Sequence, residues 1–481
     1  MRIAHLMCLA LTIAACQAPT TNGTGGGAGG GSGFGGGLGF GGGSAGGGTA
    51  GGGTAGGGTA GGGTAGGGTA GGGTAGGGTA GRASLTVPSQ VFDPKVVASS
   101  DGALHITYRT QAPGSIVYGR CEADCGTDTS WSLLTLHSAA FVGASRIAVG
   151  PDLRVHVVYE VSSTFTYATC AGDCTSPSAN WTRVDLPRSA CTSELQNSNL
   201  VLGEGGRLSF MSSDNNESSL CVTTCGSACG SASSWTTGEV VSIAGVRAAW
   251  AFAGSGPTLH VAYDDKVDGL RYRSCAGDCT APASWQGSDL FFYRGGNSAI
   301  ALAAAPNGRI HLAYNQGAAP ASAPAQTRAN DGRLLVWQCA GTCGESASWQ
   351  GVSLGALDEG VNGLALVATQ DGAVLMAAHS ELSVHVCEGS CGQPSSWGSA
   401  VLESAAALTA ALPDPYALSG CTVNGQPVQA QSATWAPEKP AFALTNSGGL
   451  LAFAMSKGLR TCPGVTTPTI FPGYGRLHWV P

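Results

Sequence analysis

The sequence predicts an all-β fold, a β-propeller of seven four-stranded blades, with six or eight blades as the alternatives. Three observations predict it. First, Cys-x-x-x-Cys followed by Trp recurs six times: Cys121, Cys125 and Trp131; Cys170, Cys174 and Trp181; Cys225, Cys229 and Trp235; Cys275, Cys279 and Trp285; Cys339, Cys343 and Trp349; Cys387, Cys391 and Trp397. A motif at a fixed period of roughly 50 residues marks stacked structural repeats. Second, each signature closes a unit of short apolar runs separated by turn residues. Third, no unit shows helical periodicity. One large β-sandwich fits the strands but not the regular period.

Each unit reads in the same order. It opens with an apolar first strand such as Leu302-Ala303-Ala304. A tight turn follows, as at Pro306-Asn307-Gly308, Ser100-Asp101-Gly102 and Gln370-Asp371-Gly372. The second strand alternates, as in Leu104 to Tyr108, Val155 to Tyr159, Leu259 to Tyr263 and Ile310 to Tyr314. A variable loop leads to a third strand, Leu334 to Trp337 in the fifth unit, then the Cys-x-x-x-Cys turn and a fourth strand from Trp. Four short strands with turn signals at this spacing describe one propeller blade. Units start near Val96, Ile147, Leu200, Trp250, Leu302, Leu364 and Phe442. The seventh lacks the signature. It has Leu459 to Cys462 in its place and a last strand near Arg476 to Val480, while Ser84 to Val91 supplies a closing strand across the ring.

The cysteines admit three readings. Residues four apart can reach the usual disulfide Cα separation where the chain reverses, and each staple then contributes about 2 kcal/mol in the chain-entropy model. Zinc needs four ligands, and two per turn would oblige turns of a ring to converge. Redox chemistry belongs to one site rather than six copies. Disulfides are the expectation. Outside the signature, Cys191 and Cys221 fall on one face and are expected to bridge, which leaves Cys421 and Cys462 to each other.

Before the repeats lies a different kind of chain. Arg2 and the apolar run Leu6 to Ala15 form an export signal too short to span a bilayer. Residues 17–82 are almost entirely Gly, Ala, Thr and Ser, ending in a GGGTA repeat, and are expected to be a disordered tether. About 60 such residues have a root-mean-square reach of roughly 40–45 Å. The division is a signal peptide 1–15, the anchor residue and tether 16–82, and the propeller 83–481. A net charge of −7 with four lysines argues against a nucleic-acid partner.

Two resemblances add to this reading. Ile13-Ala14-Ala15-Cys16 resembles a bacterial lipoprotein lipobox. That implies cleavage before Cys16, triacylation of its thiol (palmitate among the chains) and a stable membrane anchor; an ordinary secretory signal is the alternative. Gln17, where an Asp would favour inner-membrane retention, implies the outer membrane, facing the surface or the periplasm. The repeats are similar in layout to Asp-box propellers of the sialidase-like type, whose Ser-x-Asp-x-Gly-x-Thr-Trp turn joins the third and fourth strands. Asp124, Asp173 and Asp278 keep an acid before the second Cys, but the Cys pair replaces the Ser and Gly frame, and none of the catalytic motifs is present.

Blade topology sorts the loops. The strand one–two turns and the Cys turns share one uniform face, and the irregular loops share the other: Pro187 to Asn199, Asn315 to Arg333 and Leu402 to Pro440. Function usually lies on irregular loops held by a rigid scaffold. The first polar residues after each second strand are therefore the candidate ligand-binding set: Arg109, Glu160, Asp214, Asp264, Asp265, Asn315, Glu381 and Lys457. His105, His156, His260 and His311 repeat at one position and are expected to be packing and hydrogen-bonding elements between blades. No catalytic residue, metal or cofactor is assigned, since no P-loop, HExxH, nucleophile elbow or dinucleotide fingerprint occurs. The expected function is non-catalytic binding of a glycan or protein. The alternatives are a polysaccharide hydrolase or lyase acting through carboxylates of that face, and a structural envelope protein.

Overall fold

The computed structural model describes residues 84–480 apart from short stretches, the longer being 243–248, 292–298, 316–332, 357–362, 413–420 and 462–468. The signal, Cys16 and the tether lie outside the described residues, as do Asp265 and the Cys421–Cys462 pairing.

Five antiparallel four-stranded sheets follow the predicted units. They are β5–β8 (Val142–Val149, Val155–Val161, Thr164–Cys170, Thr182–Asp185), β9–β12 (Val201–Leu202, Leu208–Ser213, Ser219–Cys225, Trp235–Ser242) and β13–β16 (Trp250–Ser255, Thr258–Asp264, Leu270–Ala276, Gln286–Phe291). The others are β17–β20 (Ile300–Ala304, Ile310–Asn315, Arg333–Cys339, Trp349–Ala356) and β21–β24 (Gly363–Ala368, Gly372–Ala378, Leu382–Glu388, Trp397–Glu403). The sixth sheet has seven strands in the order β27 (Ser432–Leu444), β28 (Leu450–Thr461), β29 (Thr469–Val480), β1 (Ser84–Ala98), β2 (Leu104–Gln111), β3 (Gly114–Cys121) and β4 (Ser132–Ser138).

The expected count of seven blades is thus corrected to six, one of double width. The reason is the 15-residue β1. Its start, Ser84 to Gln90, pairs with β29, and its remainder, Val91 to Ala98, pairs with β2. The first and seventh sequence units therefore share one sheet instead of forming two. The expected closing strand is this pairing. First strands touch their neighbours in turn, β1 to β5 to β9 to β13 to β17 to β21 to β27 and back to β1, so the ring is closed.

The core lies between successive sheets. Each second strand alternates inward residues, such as Leu259, Val261 and Tyr263, that pack on the preceding sheet's Met211, Leu220 and Val222. The insertion after β24 departs from the all-β expectation. It holds helix α1 (Ala405–Ala411), whose N-cap Ser404 accepts from Ala407 N, and whose Leu408 packs with Leu412 and Trp435.

The signature builds the same structure six times. All six pairs are disulfides with Cα separations of 5.6–5.8 Å. Each Trp Nε1 then donates to the carbonyl of the second Cys of its turn, at 2.9–3.1 Å. The turn requires one left-handed residue. Where the third position is glycine, that glycine takes it: Gly172, Gly277, Gly341 and Gly389. Where it is Ala123 or Ser227, the left-handed residue moves one place on, to Asp124 and Ala228. The predicted Cys191–Cys221 bridge is also formed, at a Cα separation of 5.8 Å.

Candidate functional site

The expected set does not form one cluster of free groups. Glu160 is buried, and a Cβ at Gly143 of β5 would collide with its carboxylate. Arg109 lies 5.0 Å over the Phe92 ring and donates from Nη1 to the Val142 carbonyl at 3.3 Å. These two residues meet the same Val142–Gly143 segment. Asp214 instead shapes its own loop. Its oxygens accept from Ser218 N (2.5 Å), Ser218 Oγ (2.6 Å) and Ser219 N (3.1 Å). Partial burial opposes ionisation of Asp214, but these bonds win and hold its carboxyl below the usual range. Asp264 is 2% exposed and accepts from Tyr314 Oη of the next sheet at 3.3 Å. Asn315 is 1% exposed, and its Oδ1 has no partner among the described residues. The Glu381 carboxylate lies 3.9 Å from His379 Nε2. For Lys457 only the backbone is described, in β28 opposite Ala436.

Three of the four repeated histidines bridge strands within a sheet rather than between blades, which corrects the expectation, while His311 Nδ1 has no hydrogen-bond partner among the described residues. His105, His156 and His260 contact the hydroxyls of Tyr118, Tyr167 and Tyr272 on the adjacent third strand, at 2.8, 2.7 and 2.6 Å. The tyrosine carries the contact onward. Tyr118 packs on Trp181 of the next sheet, Tyr167 on Trp235 and Tyr272 on Trp349, with centroids 5.4, 5.1 and 4.9 Å apart. Burial pushes these three histidines, with His311 and His385, down to about 4, so they are neutral.

A group outside the expected set has the character of a site. Lys95 helps to line a cavity of about 220 Å³ on the ring axis, together with Val97, Ile300, Leu366 and Phe442, and Arg146, Asp93 and Lys439 interact electrostatically with it. Irregular backbone brings them there. The pairing of β1 with β2 shifts register between Phe92 and Lys95, and that of β27 with β28 between Glu438 and Ala441. At each shift a non-glycine residue with positive φ precedes a proline: Asp93 (φ 48) before Pro94, and Lys439 (φ 45) before Pro440. Proline has no N–H for the ladder and disfavours helical backbone in the residue before it, so the strand bulges. Strained backbone of this kind clusters at functional positions. Both bulges lie toward the irregular face, because Ala98 and Leu444 lead into turns on the opposite one.

The electrostatics are unbalanced. Arg146 is fully buried, with Nη1 2.8 Å from Asp93 Oδ2 and Nη2 donating to the Leu195 carbonyl. Burial pushes Asp93 up, but Arg146, Lys439 and Lys95 overcome it and leave the carboxyl well below the usual range. Burial pushes the Lys95 ammonium down to about 8, helped by Arg146 and Lys439 and opposed by Asp93. Three cations thus surround one carboxylate, and neither lysine has an ion-pair partner among the described residues. The signal was present in the sequence. Two of only four lysines sit beside prolines within apolar first-strand runs, at Asp93-Pro94-Lys95 and Lys439-Pro440.

No family model matches this chain, and no curated protein does. Among solved structures, the chain is similar to the polysaccharide lyase Uly1, at 11% identity and a TM-score of 0.43, over 82% of this chain and 98% of that one. It is similar to a mutant of AofleA from Arthrobotrys oligospora, at 12% identity and a TM-score of 0.42, over 66% and 90%. It is also similar to the Aleuria aurantia lectin, at 12% identity and a TM-score of 0.40, over 80% and 97%. Scores at this level carry no functional information.

Proposed function

We propose that the chain is a non-catalytic binding protein, held at the bacterial surface by a lipid on Cys16 and extended by residues 17–82. Its irregular face takes an acidic glycan, whose carboxylates enter the axial mouth. The observation that carries this is the excess of positive charge there: Lys95, Lys439 and Arg146 around the single carboxylate of Asp93. A carboxylate entering that space makes charge-assisted hydrogen bonds with ammonium groups that burial has partly desolvated.

Binding is favoured over turnover because three of the described acids of the face are committed elsewhere. Asp214 holds the Ser218–Ser219 turn, Asp264 is buried against Tyr314, and Glu160 is buried against β5. Paired carboxylates at a set separation, the requirement of most glycosidases, do not arise from them. One observation favours the catalytic alternative. A lysine held at about 8 is near the range of a general base, which suits a lyase acting on a uronate.

The test is a binding screen of the full chain against acidic and neutral polysaccharides, scored for product as well as affinity. The expected result is saturable, salt-sensitive binding of acidic polymers without product. Formation of unsaturated or reducing ends would replace this reading with the catalytic one.

A further inference from the structure

A second cavity lies elsewhere, on the uniform Cys-turn face between the second and third units. It measures about 770 Å³ and is lined in part by Asp152, Arg154, Tyr167, Thr169, Glu204 and Ser227. That size falls in the range of ligand pockets, roughly 300–1,000 Å³.

Comparison around the ring explains why it opens here. An arginine immediately precedes the second strand in three units: Arg154, Arg207 and Arg309. In two of them it reaches the Cys turn of the next unit. Arg207 donates to the carbonyls of Gly277 (2.7 Å) and Pro257 (2.6 Å), and Arg309 to that of Gly389 (3.4 Å). Gly277 and Gly389 are the left-handed glycines of their turns. The turn facing Arg154 has Ser227 at that position, and its left-handed residue is the non-glycine Ala228, which also lines the cavity. Arg154 makes no hydrogen bond to this turn. It is exposed and pairs with Asp152 at 3.5 Å. The flanking strands are short as well. β8 has four residues and β9 two, and β9 leads into the 3-10 turn Glu204–Gly206, where Gly205 and Gly206 have positive φ. An inter-unit clamp closed at two places is open at the third.

We propose that this open clamp is a second binding site, for a neutral mono- or disaccharide. The lining chemistry selects that class. Two carboxylates, Asp152 and Glu204, face one guanidinium, Arg154, which disfavours anions. The carboxylates accept from sugar hydroxyls, and the guanidinium and Ser227 hydroxyl donate to sugar oxygens. His156, hydrogen-bonded to Tyr167 and neutral, adds no charge to the floor. Ala228 in the left-handed region is strain kept in the wall of a cavity. This site does not depend on the axial one.

The experiment is saturation-transfer NMR on the full chain with methyl glycosides of neutral hexoses, pentoses and deoxyhexoses, with methyl glucuronide as the acidic counterpart, followed by titration of any binder. At least one neutral glycoside is expected to bind. Arg154→Ala, at an exposed position, is expected to weaken it tenfold or more, and Ser227→Trp, which fills the cavity from an exposed position, to abolish it. Lys95→Met is expected to leave it unchanged. Melting curves confirm that each variant is folded. The proposal is overturned if no neutral glycoside binds, if binding survives both cavity variants, if Lys95→Met abolishes it, or if the glucuronide binds as tightly.

Discussion

The Tyr118 ring packs edge-on against Trp181 of the following sheet, with centroids 5.4 Å apart. Through it the signature of one unit is tied to the strands of the unit before. Trp181 is fixed by its bond to Cys174, and Tyr118 by its bond to His105. The histidine, tyrosine, tryptophan and disulfide thus form one chain of contacts, repeated from Tyr167 to Trp235 and from Tyr272 to Trp349.

Removing the tryptophan is therefore expected to cost more than a blade-local contact. Trp181→Ala should lower stability by about 3–5 kcal/mol, the range for a large buried aromatic. Trp181→Phe keeps the ring but loses the bond to Cys174, at about 1 kcal/mol. Denaturant titration of both variants measures the difference. Equal losses would show that the indole bond, and not the packing of the ring, carries the stabilisation.

Acid should loosen the same contacts. Five histidines are held near 4, below the unfolded value of about 6.5. Between those values the unfolded chain binds more protons than the folded one, so stability falls as pH drops from about 6.5 toward 4. Melting temperature against pH should show this slope, and His156→Gln should reduce it.

The Cys turns make a paired prediction. Nothing stands within 4 Å of a Cβ built at Gly172, so Gly172→Ala isolates the cost of a left-handed backbone, about 1–2 kcal/mol. Ala228→Gly removes that cost at a natural site and should stabilise, though by less, since glycine also loses more entropy on folding. Opposite signs in thermal melts are the expected outcome.

Each signature disulfide should contribute about 2 kcal/mol, by the loop-closure argument. Cys170→Ser with Cys174→Ser tests one. Non-reducing mass spectrometry tests all, with seven bridges expected among the described residues.

Much of this architecture was legible because the repeat is written in residues with few alternatives. The Cys pair, the Trp and the turn glycines each fix one local geometry, and Cys191 and Cys221 followed from loop topology. The blade count was not legible, because nothing in Ser84 to Ala98 shows that one strand serves two partners. The site was only partly legible. Polar residues after the second strands were visible, but Asp214 and Asp264 were committed to Ser218 and Tyr314, which only folding reveals. Charges inside first strands read as exceptions to an apolar run, although the prolines beside Asp93 and Lys439 marked the bulges that bring them to the axis. The open clamp depends on which carbonyls Arg207 and Arg309 reach, a relation between units that no single unit encodes.

The axial charge also sets a pH dependence. Lys95 should lose its proton near 8 in the free protein, so affinity for a carboxylate ligand should fall as pH rises through that value, well below the usual lysine range. Titrations at pH 7 and pH 9 should differ, and Lys95→Met should remove the difference.

The most direct measurement is calorimetric titration of the full chain, and of its Lys95→Met and Lys439→Met variants, with an acidic polysaccharide, while assaying the same mixtures for cleavage. Binding is expected to weaken about tenfold with each lysine lost, the scale of one charge-assisted contact, with the polymer recovered intact. Unchanged affinity in both variants, or a cleaved polymer, would contradict this.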